Sequence, residues 1–201
     1  MKVIVKIQPD HDIMNPSVEG GFYDRTWRLV SFNNRHRSYE NHEKYTNPDI
    51  GLRRKLTVGT AFYLDYFEHS GCIWSLSGSG PQCRWDTSRM AGILIFDNPK
   101  DMGAKTYEDR AKDAKNFLKI YTDWANGHGH GYIIEDEEGN ELDSCWGFYD
   151  SDIEHTVNEI VSQLEYLNKE HGALEVTLED DYFYSSNMDK IRNFGKVLTG
   201  A

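Results

Sequence analysis

The chain has 201 residues, 38% hydrophobic, 13% aromatic and 27% charged, a size for one domain and a composition that excludes disordered and fibrous proteins. No run approaches the roughly 18 consecutive apolar residues of a membrane span, and the charged start Met1-Lys2-Val3-Ile4-Val5-Lys6 does not read as a signal peptide, so a cytoplasmic protein without a membrane partner is expected. With 22 Lys and Arg against 33 Asp and Glu the net charge is −11, which argues against a general nucleic-acid binder.

In chain order, alternation of Val3, Val5 and Ile7 with Lys2, Ile4 and Lys6 predicts a first strand that stops at Pro9. Trp27 to Phe32 is a second strand. Residues 33–55 are polar and without clear periodicity, which reads as a long basic loop. Thr60 to Phe67 and Cys72 to Leu76 are β-prone and flank a turn at His69-Ser70-Gly71. Met90 to Phe96 is continuously apolar and predicts a buried central strand.

Thr106 to Asn126 places Ala114, Phe117, Leu118 and Tyr121 at helical spacing, with Thr106 as cap and Gly127 as stop. Tyr132 to Ile134 and Leu142 to Phe148 form a hairpin around an acidic turn. A second helix runs from Ser151 to about Glu170, with Ser151 to Glu154 in the form of a capping box. Leu174 to Leu178 is a last strand, and residues 185–201 suggest a short C-terminal helix. The sum is a single α+β domain over residues 1–201. Its sheet is mainly antiparallel, with the strands of 60–96 and 131–148 at the centre and two amphipathic helices packed on one face.

Charge is uneven along the chain. Arg25 to Lys55 holds eight basic and three acidic residues; Glu135 to Lys190 holds seventeen acidic and two basic. Three cysteines without a C-x-x-C pair predict free thiols. His128 and His130 share a face if extended, but two ligands do not make a metal site, and neither metal nor cofactor is expected. No nucleotide-binding loop, dinucleotide fingerprint, nucleophile elbow or zinc-protease motif is present.

Two segments combine Trp, Cys, Asp and small hydroxyl residues: Cys83-Arg84-Trp85-Asp86-Thr87-Ser88 and Asp143-Ser144-Cys145-Trp146-Gly147-Phe148-Tyr149. A catalytic role would take Cys83 or Cys145 as nucleophile, His69, His128 or His130 as base, and Asp86 or Asp143 as orienter. The favoured expectation is structural. Trp85 and Trp146 would be core anchors, and Asp86 and Asp143 would bond backbone amides at strand ends.

These segments, with Phe67-Glu68-His69-Ser70-Gly71, Gly92 to Ile95, Tyr121, Trp124, Asn126-Gly127 and Gly131-Tyr132, resemble a group of small uncharacterised proteins of bacteriophages and other mobile elements. The match covers about residues 60–170. It implies a phage or prophage product acting in the cytoplasm of a bacterial host, and carries no activity to any residue.

Three functions remain open. The first is a binding protein that inhibits or modifies a host system, anti-defence included, through an acidic, nucleic-acid-mimicking face. Its residues would be Glu135, Asp136, Glu137, Glu138, Glu141, Glu179, Asp180 and Asp181, and its partner a basic or nucleic-acid-binding host protein. The second is a small enzyme with a pocket of Trp, Asp and Cys. The third is a nucleic-acid binder using Arg35, Arg37, Arg53, Arg54 and Lys55, with Trp27, Tyr39 and Tyr45 for stacking. The net charge disfavours the third and the missing motifs disfavour the second, so the first leads.

Overall fold

The computed structural model describes residues 1–17, 27–34, 36, 40–98, 102–180 and 188–194. The fold is α+β, with two four-stranded sheets where the sequence suggested one. The chain divides into two compact units, residues 1–13 with 127–201 and residues 14–126.

The first unit is built on β1 (Lys2–Pro9), β6 (Gly129–Asp136), β7 (Glu141–Tyr149) and β8 (Glu175–Asp180), in the order β7-β6-β1-β8. β6 pairs antiparallel with β1 and β7, while β8 joins β1 in parallel. Alternation sets the faces: Val3, Val5 and Ile7 with Tyr132 and Ile134 turn inward against helix α4 (Ile153–His171). That helix presents Val157, Ile160, Leu164 and Leu167, the predicted stripe. Its start differs from the expected capping box. A 3-10 turn over Asp150–Asp152 precedes it, and the N-cap Asp152 makes no side-chain capping bond. Among its described residues the tail holds one turn, α5 (Asp189–Arg192), whose Ile191 is buried; residues 185–187 and 195–201 of the expected terminal helix lie outside the described residues.

The second unit is built on β2 (Trp27–Ser31), β3 (Ala61–Glu68), β4 (Cys72–Leu76) and β5 (Thr87–Phe96), all antiparallel in the order β2-β5-β3-β4. β5 is central, as its apolar run predicts. Leu94 and Phe96 face one cluster and Ile93 and Ile95 another. The first cluster is closed by helix α3 (Tyr107–Asn126) through Ala114, Phe117, Leu118 and Tyr121. Thr106 caps that helix as expected, its Oγ1 accepting from Asp109 N at 3.1 Å.

The second cluster corrects the long-loop expectation. Residues 43–58 form α1 (Glu43–Thr46) and α2 (Ile50–Val58). Asp49 caps α2 by accepting from Leu52 N, Gly59 ends it in the left-handed conformation, and Leu52 and Leu56, one turn apart, pack on the sheet. The two long helices therefore belong to different sheets, rather than to one face of one sheet.

Candidate functional site

Asp65 organises a region where both sheet geometry and loop sequence are irregular. It lies in β3, where the pairing with β5 slips between Leu64 and Tyr66, and it is 1% exposed. Its Oδ1 accepts from Ser77 Oγ (2.8 Å) and Met90 N (3.0 Å), and its Oδ2 from Gly78 N (2.8 Å) and Gln82 Nε2 (3.2 Å). Burial alone would raise its pKa, but these four donors overcome it and hold the carboxyl below the ordinary range. The carboxylate thus pins both ends of the 77–90 segment. Met90 is held at φ +48°, an uncommon conformation for a residue with a side chain, and is half-exposed rather than part of the buried strand.

The pinned segment delivers Trp85 and Asp86 to a cleft of about 720 Å³, whose walls include Phe32, Asn33, Tyr66 and Glu68. Asp86 is fixed from two sides. Its Oδ2 accepts from the Cys83 thiol at 3.2 Å and lies 3.6 Å from His69 Nδ1, and its carbonyl accepts from Glu68 N. Cys83 N in turn bonds Thr87 Oγ1, which donates to the Pro81 carbonyl. Trp85 is 84% exposed, with the Arg84 guanidinium carbon 5.1 Å from its ring centre. The expected core anchor at Trp85 is therefore corrected: the buried tryptophans are Trp27 and Trp74. Below the cleft, Tyr66 belongs to a cage with Trp74, Tyr121 and Trp124 around His36. Trp74 Nε1 can only donate, so His36 Nε2 accepts and its proton sits on Nδ1, toward Tyr121 Oη.

The structure gathers one of the expected catalytic sets, Cys83, Asp86 and His69, but in the order thiol–carboxylate–imidazole. The base does not stand between nucleophile and orienter, as proton transfer from sulfur requires. A second set has the right order and the wrong place. His130 Nδ1 is 3.2 Å from Asp150 and Nε2 is 3.0 Å from Thr156 Oγ1, yet His130 and Thr156 are both 0% exposed. This chain of groups ties β6 to α4. His128 is exposed while His130 is buried, and among the described residues no group of three His, Cys, Asp or Glu could hold a metal.

The second motif forms β7. Trp146 is 41% exposed, not buried, and lies across Gly131: a Cβ there would sit 2.3 Å from the indole and 2.8 Å from the Cys145 carbonyl. Asp143 accepts from the Tyr132 hydroxyl at 3.0 Å rather than from the backbone amides expected. Burial pushes the Cys145 thiol pKa up, and pushes that of Cys72 up to about 11, a value to which the Glu68 charge adds; all three cysteines are free, as expected.

The acidic residues separate into engaged and open ones. Glu135 pairs with Lys6, Asp136 accepts from Asn140 and Glu138 within its own turn, and Glu141 accepts from Ser144. Glu137, Glu138 and Glu179 are exposed, as is Glu175, which sequence reasoning did not single out. Asp181 and the side chain of Asp180 lie outside the described residues. Charge follows the two units. Residues 1–13 with 127–201 hold 6 Lys and Arg against 19 Asp and Glu, net −13, and residues 14–126 hold 16 against 14, net +2.

Of the basic alternative, only part lies among the described residues. Arg53, Arg54 and Lys55 are consecutive on α2 and fan across about 200° of its circumference. Trp27 and Tyr45 are buried rather than offered for stacking. Arg35, Arg37 and Tyr39 lie outside the described residues.

No family model, curated protein or solved structure matches the chain.

Proposed function

We propose that the protein is a binding protein that engages a basic partner through its acidic unit. In the phage setting implied by the resemblance, the partner is a nucleic-acid-binding protein of the bacterial host, in the cytoplasm, whose system is inhibited or modified. The observation that carries this is the segregation of charge: net −13 on one compact unit and +2 on the other, where an evenly solvated surface would share it. Exposed carboxylates of this kind steer a cationic partner and reject an anionic one, which sets this reading above direct nucleic-acid binding.

Affinity capture from bacterial cells tests it, with the wild-type chain and a variant carrying Glu137→Gln, Glu138→Gln, Glu175→Gln and Glu179→Gln side by side. The proposal expects a stoichiometric basic protein on the wild type that is depleted on the variant. An equally retained partner, or nucleic acid as the retained species, contradicts it.

A further inference from the structure

We infer that the cleft beside Trp85 is a second recognition site, and that its ligand is an arginine side chain presented by a peptide segment of a partner protein. The inference goes beyond the acidic unit, because all its residues lie in the other unit, the one whose net charge is slightly positive. A cation has no reason to collect on that unit except where the local lining invites it.

The lining does so in two ways. Glu68 and Asp86 bring two carboxylates to one cleft, and among the described residues Glu68 makes no ion pair. The Asp86 Oδ2 is held by Cys83, while Oδ1 accepts no hydrogen bond among the described residues. Asp86 is therefore oriented before any ligand arrives, which lowers the cost of ordering it on binding. The Asp65 anchor extends the same preorganisation to the whole 77–90 segment.

The second feature is the exposed indole of Trp85, with Phe32 and Tyr66 also in the cleft. A large aromatic left in water beside two carboxylates matches a flat cation. Guanidinium offers a planar face to the ring and parallel N–H donors to a carboxylate; ammonium offers neither. The chain's own Arg84 already lies over this ring. Phosphate and carboxylate ligands would meet repulsion from Glu68 and Asp86. At about 720 Å³ the cleft also accommodates the backbone that carries the arginine.

Titration of the full chain with acetyl-Gly-Arg-Gly-amide, followed by tryptophan fluorescence and amide chemical shifts, tests the site. The lysine and glutamate counterparts of the peptide serve as controls. Expected is a saturable response to the arginine peptide that maps to residues 84–90. Trp85→Ala or Asp86→Asn should weaken it about tenfold, and Glu68→Gln at least threefold. Trp85 is too exposed for its loss to unfold the protein, so that variant remains readable. The lysine peptide should bind more weakly and the glutamate peptide not at all. Absence of saturable binding, equal binding of all three peptides, or binding unchanged by Trp85→Ala and Glu68→Gln overturns the inference. The four Glu→Gln changes of the acidic unit should leave this titration unaltered, so the two proposals fail separately.

Discussion

Asp65 is the side chain on which the cleft depends. A carboxylate between Leu64 and Tyr66 interrupts an otherwise apolar strand, a signal visible in the sequence but not interpreted there, because its four donors come from residues 77–90. Asp65→Asn would aim amide protons at backbone N–H donors, and should cost about 2–4 kcal/mol in chemical denaturation. The wild type should show a matching pH dependence. Since the folded pKa is depressed, the contribution is full above the unfolded value near ~3.9 and is lost as pH falls through the folded value. The wild-type advantage over Asp65→Asn should therefore shrink below about pH 4; an advantage constant from pH 7 to pH 3 would falsify the ionised anchor.

Trp146 shows the opposite error. Its type suggested a core anchor, yet burial is decided by Gly131 on the neighbouring strand, which leaves room for the indole to lie flat on the sheet. Gly131→Ala should destabilise by about 2–3 kcal/mol, because the new methyl meets both ring and backbone. Trp146→Ala alone should cost about 1–2 kcal/mol, as only part of the ring is buried. The double variant should recover at least about 1 kcal/mol relative to the sum of the single changes. Simple additivity would show that the two residues do not touch.

Among elements, those that bury a periodic face were legible. α3 and α4 announce themselves through apolar residues at three and four apart, and β5 through an unbroken apolar run between turn residues. α2 was not legible because it buries no residue completely. Leu52 and Leu56 are its anchors, and Arg53-Arg54-Lys55 between them masks the period, leaving only the Asp49 cap as a clue. Joints between elements were equally hidden. Asn126 ends α3, yet its amide accepts from Cys72 N at 2.7 Å and donates to Cys72 O at 2.8 Å, imitating a strand partner for the start of β4. Asn126→Ala should cost about 1–3 kcal/mol and speed hydrogen exchange at the Cys72 amide. Unchanged exchange there would rule out the joint.

At the scale of the molecule, the α+β class follows from local patterns, but the division into two sheets does not. β1 pairs with β6 and β8, from the far end of the chain, while residues 14–126 fold on themselves. Such long-range pairing depends on which faces match in three dimensions, and no window of sequence holds both partners. The charge skew was visible in the sequence. Its coincidence with one folding unit was not, and the proposed acidic surface rests on that coincidence.

The association rate of the captured partner, measured against ionic strength, tests that surface most directly. The account predicts a wild-type rate that falls steeply as salt rises, because steering fades beyond a screening length of about 8 Å at physiological salt. The variant with Glu137, Glu138, Glu175 and Glu179 changed to Gln should associate more slowly, with a flatter salt slope and an unchanged melting temperature. The same rate and the same salt slope in both proteins would contradict it.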